Sequence, residues 1–307
     1  MSEFKNIFIL LRLHFSLFLL PVFLFGASQI PIEFTNRDTL IILFFVLHLL
    51  VYPSSNAYNS YIDKDTTPIG GVENPPLPGK DLFWVTIAMD IVSLAITFLF
   101  INTITGLMVL TYILVSRAYS SRLIRLKKYS LIGFLTVFIF QGAWIFIMVL
   151  ESNHVSIFHP EHLISLNGSK FSVFKPEMEH YIEKSLIASL LIGAMYPLTQ
   201  IYQHEADRND GINTISMKLG LKGTFFFSVI LYLLAIGLIF LYLNEHEFIA
   251  FTIINFPVVV YFLWWAFQTF KNKSAANFKN AYRMNIISGV CNIVCFSTLI
   301  YLNYFKY

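Results

Sequence analysis

Residues 51–80 read VYPSSNAYNSYIDKDTTPIGGVENPPLPGK and close an apolar run that begins near Leu40. They place Asn56, Asn59 and Asp63 at i, i+3 and i+7, which is one face of a helix. An Asp at the centre of a bilayer costs about 2.5 to 3.5 kcal/mol. Amides and a carboxylate at the end of a membrane helix are therefore expected to face a wet, protein-lined cavity. Pro68, Gly70 and Gly71 are expected to stop the helix, and Asn74 to Gly79, with three prolines, to form a stiff loop. A second stretch, QIYQHEADRNDGINTISMKLG from Gln200 to Gly220, closes a later apolar run in the same way, with Gln200, Gln203 and Asp207 on one face. The two stretches read as halves of one site.

The chain of 307 residues is 56% hydrophobic, 17% aromatic and 13% charged, against roughly 25% charge in a soluble domain. That composition excludes an ordinary soluble fold. Apolar stretches able to cross a hydrocarbon layer of ~30 Å need about 20 residues. They fall at 6–26, 39–60, 82–101, 103–118, 131–150, 181–202, 223–243, 247–270 and 282–304. The reading is an all-α polytopic membrane protein of nine transmembrane helices around a central lipid-accessible chamber.

Basic residues give an independent orientation, because Lys and Arg accumulate in short cytoplasmic loops. With the amino terminus inside, Lys5, Lys64, Lys80, Arg117, Arg122, Arg125, Lys127, Lys128, Arg208, Lys218, Lys222, Lys271, Lys273, Lys279 and Arg283 fall on one side. The other side holds only Arg37, Lys170, Lys175, Lys184 and Lys306. Both polar stretches are thus expected at the cytoplasmic face of an integral membrane protein, of the bacterial inner-membrane kind. The loop asymmetry accounts for the net charge of +3, and no nucleic-acid partner is implied. The opening MSEFKNIFILLRLHFSLFLLPVFLF lacks a small-residue cleavage site and reads as a retained first helix. Its Arg12 is expected to snorkel to the surface. Cys291 and Cys295, one turn apart in the last span, imply neither a disulfide nor a metal site.

Isolated polar residues along the chain carry weaker signals. His48 is expected as a hydrogen-bonded core residue, and Asp90 as either a packing acid or part of a cavity. Arg117, Arg122 and Arg125 serve as topology determinants or as anion contacts. His154, His159, His162 and His180 match no metal signature, and Asn167-Gly168-Ser169 fits a glycosylation acceptor only in a eukaryotic secretory pathway. The last three spans carry little polarity beyond Gln268 and Asn292, and read as scaffold and chamber wall.

Several carboxylates and amides at one membrane boundary suit a hard cation such as Mg²⁺, which commonly bridges protein carboxylates to substrate phosphates. Two such ions can bind a diphosphate and neutralise its charge as it departs. With a hydrophobic chamber beside them, these features suggest transfer of a lipid group from a diphosphate.

At this point the chain resembles the UbiA-type intramembrane prenyltransferases, which have nine helices and two Asp-rich motifs on cytoplasmic loops. Their first motif, NDxxDxxxD followed by an NRPL-like segment, is matched by Asn59, Ser60, Asp63 and Thr67, then Asn74, Pro75, Pro76 and Leu77. Their second, DxExDxxxGxxTL, is matched by Gln203, Glu205, Asp207, Gly211, Thr214 and Ile215, with Leu219 and Gly220 closing it. Tyr119 and the segment RLKKYSLIG resemble the region between the motifs. The resemblance covers the whole chain, read as one domain over 1–307. It departs where Ser60, Thr67 and Gln203 replace aspartates and Pro75 replaces the usual Arg; Asp65 and Asp210 are candidates to compensate.

The resemblance implies a Mg²⁺-dependent transfer of a prenyl group from a prenyl or polyprenyl diphosphate to an aromatic or other lipophilic acceptor. On that basis Asn59, Asp63, Asp65, Glu205, Asp207 and Asp210 are candidate metal ligands. Asn56, Asn59, Arg122, Lys127, Lys128 and Gln203 are candidate substrate contacts, and Tyr119, Asp63 and Asp207 candidate catalytic residues. A second reading is a catalytically silent relative that binds isoprenoid or quinone, since three ligand positions have lost charge. A transporter is disfavoured by the lack of an internal repeat and by polar residues that gather at one face.

Overall fold

The computed structural model describes residues 2–155, 165–166, 169–170 and 180–305. His159, His162, Asn167 and Gly168, singled out above, lie outside the described residues. The chain runs through α1 (Phe4–Ser28), α2 (Arg37–Asp63), α3 (Asp81–Phe100), α4 (Thr103–Ser120) and α5 (Ser130–Ser152). It continues through α6 (Tyr181–Gln200), α7 (His204–Asn209), α8 (Ile215–Tyr242), α9 (Glu245–Ile254), α10 (Phe256–Lys271) and α11 (Phe278–Phe305). The two-residue strands β1 (Ser165–Leu166) and β2 (Ser169–Lys170) pair antiparallel.

Among the described residues six helices are long and apolar enough to cross a membrane: α1, α2, α3, α5, α8 and α11. The run at 247–270, read as one span, is two helices bent by 43° at Asn255. Two causes meet there. Pro257, in the first turn of α10, has no N–H to continue the ladder, and Asn255 turns its own side chain back to Phe251 O at 3.2 Å. α8 starts eight residues before the apolar run suggested, because Thr214 caps it by accepting from Met217 N. A break inside α8 sits at Gly220, whose φ of 66° is open to glycine.

The core forms where Phe25 of α1 lies 5.0 Å from Phe146 of α5 and 4.8 Å from Phe296 of α11, centroid to centroid. α5 and α6 meet at backbone distance, since a Cβ on Gly142 would lie 2.4 Å from Ser189 Cα. His48 takes its expected core role: its Nδ1 lies 3.0 Å from Ser16 O. Asp90 resolves as a packing acid that receives Arg117 and Ser54 Oγ (2.6 Å) and ties α2, α3 and α4 together. One end of the bundle is closed by Asn36 N donating to Asn153 Oδ1 at 2.7 Å and by Asn303 Nδ2 donating to Ser28 O at 2.8 Å. The loops carrying both polar stretches meet at the other end.

Candidate functional site

α2 ends where Lys64 adopts a left-handed φ of 53°, which leaves Asp63 on the last turn. Asn56, Asn59 and Asp63 all line a cavity of about 310 Å³, so the i, i+3, i+7 face is real. From the other stretch, Gln200, Gln203 and Asp207 line the same cavity. Gln203 Nε2 donates to Pro68 O at 3.1 Å and ties the second stretch to the loop after the first. Tyr119 enters from α4 and Tyr196 from α6, their hydroxyls 2.5 Å apart.

The segment after α4 joins the two halves. Lys127 pairs with Asp63 and donates to Asn59 Oδ1 at 2.9 Å, while Ser120 Oγ donates to the same oxygen at 2.8 Å. Arg125, at a left-handed φ of 52°, pairs with Asp210 and lies 3.5 Å from Asp63 Oδ1. Arg122 Nη1 donates to Asp210 Oδ1 at 2.7 Å. Lys127 and Arg125 are both buried, and Lys127 lines the cavity, with Arg125 behind it against Asp63 and Asp210.

The charges respond to this crowding. Burial, followed by the neighbouring Asp65, Asp63 and Asp210, pushes the Asp207 carboxyl up to about 7 against the opposing pull of Lys127. Asp65 is raised by the same two causes, burial first and then Asp63. Burial also raises Asp210, but hydrogen bonds from Arg122 and Arg125 outweigh it and hold that carboxyl below its ordinary value.

Not every candidate reaches the cavity. Glu205 and Lys128 are exposed and do not line it; Arg122 is exposed at the rim, with Asp210 between it and the interior. Ser60 is buried but does not line the cavity, donating instead to Asn56 O at 3.1 Å, and Thr67 is exposed. Of the three positions that depart from the aspartate pattern, only Gln203 borders the cavity. Arg117, spent on Asp90 and lying 4.1 Å over the Tyr58 ring, is not an anion contact.

Sequence reasoning missed Arg12. It does not snorkel: α1 breaks at a left-handed φ of 49° there, and Nη2 donates to Asn56 O at 2.8 Å. Arg12 is 5% exposed, lines the cavity and has no partner for its Nε. A lone charge inside a membrane span is itself the signal that could have found it. Tyr196, Tyr202 and Gln141, which also line the cavity, carried no such signal.

The residues fit a divalent cation. Burial, with the neighbouring carboxylates of Asp65, Asp63 and Asp210, raises Asp207 despite Lys127, and Gln200 Oε1 is buried without a partner. Among the described residues no three His, Cys, Asp or Glu side chains are placed to hold an ion alone. Amide oxygens, water or phosphate oxygens must complete its shell, as is usual for Mg²⁺.

The model of the UbiA prenyltransferase family matches residues 16–289. No curated protein sequence matches the chain. Among solved structures, a UbiA homologue from Archaeoglobus fulgidus bound to DMAPP and Mg²⁺ is 16% identical with a TM-score of 0.63, over 97% of this chain and 99% of that one. An apo UbiA homologue from Aeropyrum pernix K1 is 17% identical with a TM-score of 0.62, over 92% and 98%. A digeranylgeranylglyceryl phosphate synthase structure is 16% identical with a TM-score of 0.57, over 98% of each chain. At these identities the likeness is one of fold.

Proposed function

We propose, on the premise that this chain belongs to the UbiA prenyltransferase family, that it transfers a prenyl group from a prenyl diphosphate to a lipophilic acceptor within the membrane. The observation that carries the reading is the meeting of Asp63, Asp207, Lys127 and Arg12 in one cavity that Val137, Phe140 and Ile192 also line. Carboxylates there suit a divalent cation and the cations suit phosphate oxygens, so one ligand carrying both, a metal diphosphate, satisfies the set.

Asn59, Asp63, Gln203 and Asp207 would hold Mg²⁺, with Asp65 in reserve. When bound, the ion neutralises charge on the leaving diphosphate. Lys127, Arg125 and Arg12 turn toward phosphate oxygens as their carboxylate and carbonyl partners are taken up, and this fixes the allylic carbon near Tyr119 and Tyr196. Those rings present their faces to the positive charge that develops on that carbon. The apolar wall beyond them, including Val137 and Phe140, excludes the water that would quench it. The acceptor then forms the new bond to carbon and releases a proton.

Counting α4 and α6 as spans, and α9 with α10 as one, would bring the described residues to nine, as the sequence reading expects. The basic loops put the site on the cytoplasmic side of, in this reading, a bacterial inner membrane. A silent relative that binds isoprenoid or quinone is the second reading, favoured by Lys127 and Arg125 already occupying Asp63. The deciding experiment incubates membranes with radiolabelled prenyl diphosphates and lipids of the host, and resolves products by chromatography. A labelled lipid that forms only with Mg²⁺ supports the transferase; Mg²⁺-dependent diphosphate binding without any product supports the silent relative.

A further inference from the structure

α8 starts next to Thr214 of the cavity wall, and the end of α10 packs against that start. The joint is Phe225, which is buried, with its ring 5.1 Å from Trp265 and 5.5 Å from Phe262. Outside the joint the same two helices turn three rings away from the protein. Phe226, Phe267 and Phe270 are 62%, 55% and 40% exposed, and Phe226 lies 6.1 Å from Phe270. Two lysines lie against these rings: Lys271 Nζ is 4.3 Å from the Phe267 centroid, and Lys222 Nζ is 5.8 Å from that of Phe270. Both lysines are exposed, and neither forms an ion pair among the described residues.

The charge here is one-sided. From Gly211 onward the acidic side chains of the sequence are Glu245 and Glu247 alone. They open α9, and Glu247 accepts from Asn303 Nδ2 at 3.2 Å, at the end of the bundle away from the cavity. Lys218 and Lys273, both exposed, add to the surplus on the near side. A ring attracts an ammonium without neutralising it, so Lys222 and Lys271 keep their full charge on the outer wall of the bundle. Exposed rings on a membrane helix sit among acyl chains, while lysine stems lie along them and lift the ammonium to headgroup level. A ligand that satisfies both must join hydrocarbon to an anion. A second copy of this chain fits poorly, because a symmetric contact brings the lysines of one protomer toward those of its partner.

We propose that the outer wall between α8 and α10 binds an anionic phospholipid, with Phe226, Phe267 and Phe270 against its acyl chains and Lys222 and Lys271 on its headgroup phosphate. None of these five side chains lines the cavity, so the lipid site is independent of the transferase reading.

Native mass spectrometry of the full chain in detergent, titrated with phosphatidylglycerol or with phosphatidylcholine of the same acyl chains, counts bound lipids directly. The parent is expected to bind phosphatidylglycerol about tenfold more tightly than phosphatidylcholine. Lys222→Gln together with Lys271→Gln is expected to remove that preference, and Lys222→Arg together with Lys271→Arg to keep it. Lys5→Gln together with Lys80→Gln takes equal charge from exposed lysines elsewhere and is expected to keep it too. Should the first double variant not fold, Lys271→Gln alone is expected to lower the preference to about threefold. Equal affinity of the parent for the two lipids overturns the proposal. So does a preference that survives the loss of both Lys222 and Lys271, or one that Lys5→Gln with Lys80→Gln removes as fully. A lipid-free dimer of the parent that dissociates in Lys222→Gln with Lys271→Gln would overturn it in favour of a second copy.

Discussion

Lys127 Nζ is shared between Asp63, with which it forms a buried ion pair, and Asn59 Oδ1 at 2.9 Å, so one ammonium occupies two of the oxygens expected to receive a metal. Metal and lysine therefore compete for the same carboxylate until a phosphate draws the lysine away. Removing the ammonium should separate the two effects. Lys127→Met is expected to tighten Mg²⁺ binding severalfold in the absence of diphosphate and to weaken prenyl diphosphate binding at saturating Mg²⁺ by tenfold or more. Calorimetry of each titration checks it, and a variant that weakens both would show that Lys127 does not screen Asp63.

Asp63→Ala and Asp207→Ala should each abolish Mg²⁺-dependent turnover while the protein still inserts and elutes as a single species. Each removes one carboxylate from the cavity, Asp63 from the first polar stretch and Asp207 from the second. Activity within about threefold of the parent would remove that residue from the metal site.

Much of this arrangement was legible. The apolar runs foretold the helices, and the spacing of Asn56, Asn59 and Asp63 foretold their shared face, because both follow from the 3.6-residue period. What periodicity could not convey is which aligned position points inward. Ser60 stands one residue from Asn59, about 100° around the helix, and its hydroxyl closes on the carbonyl of Asn56. Arg12 was missed for a tertiary reason: its inward turn needs a left-handed break in α1 together with the carbonyl of Asn56, which lies on another helix. The break at Asn255 was written in Pro257, but a long apolar run outweighed it.

The acidity of Asp207 gives the metal-free protein a pH dependence of definite sign. Its folded value, near 7, lies above the ordinary 3.8, so the folded state holds a proton that the unfolded chain releases. This contribution to stability is full below about pH 4 and is lost as pH rises through 7. Asp210 shifts downward and acts only at lower pH. In EDTA the protein is expected to melt at a higher temperature at pH 5.5 than at pH 8, and Asp207→Asn should flatten that difference. A flat parent profile would show that Asp207 is ionised throughout.

The ion pair between Arg117 and Asp90 should matter for stability alone. Its side chains are 16% and 11% exposed, and it is buttressed by Ser54 and the Tyr58 ring. Asp90→Ala strands a buried guanidinium and is expected to cost about 3 to 5 kcal/mol. Denaturant unfolding in detergent measures this. The fraction that remains folded should bind Mg²⁺ and diphosphate as the parent does, and a changed affinity would place Asp90 in the site after all.

The positions that lost aspartate provide the last test, since geometry now separates them. Gln203 borders the cavity beside Asp207, whereas Thr67 is exposed and lines no part of it. Restoring charge at Gln203 adds an anionic oxygen within reach of a cation held by Asp207, and a hard ion gains from each such ligand. Gln203→Asp should therefore lower the Mg²⁺ concentration needed for half-maximal diphosphate binding, whether or not turnover improves. The same substitution also forfeits the hydrogen bond to Pro68 O, so some loss of thermal stability is expected with it. Thr67→Asp adds equal charge at a position aligned with the same family motif, and it should leave the titration unchanged. Gln200→Asp cannot serve as that control, because Gln200 is buried in the cavity wall with its Oε1 free. Coincident Mg²⁺ titrations for the parent and Gln203→Asp would mean that Gln203 does not border the ion, and the silent-relative reading would then gain, because the second motif would be present without assembling its metal site.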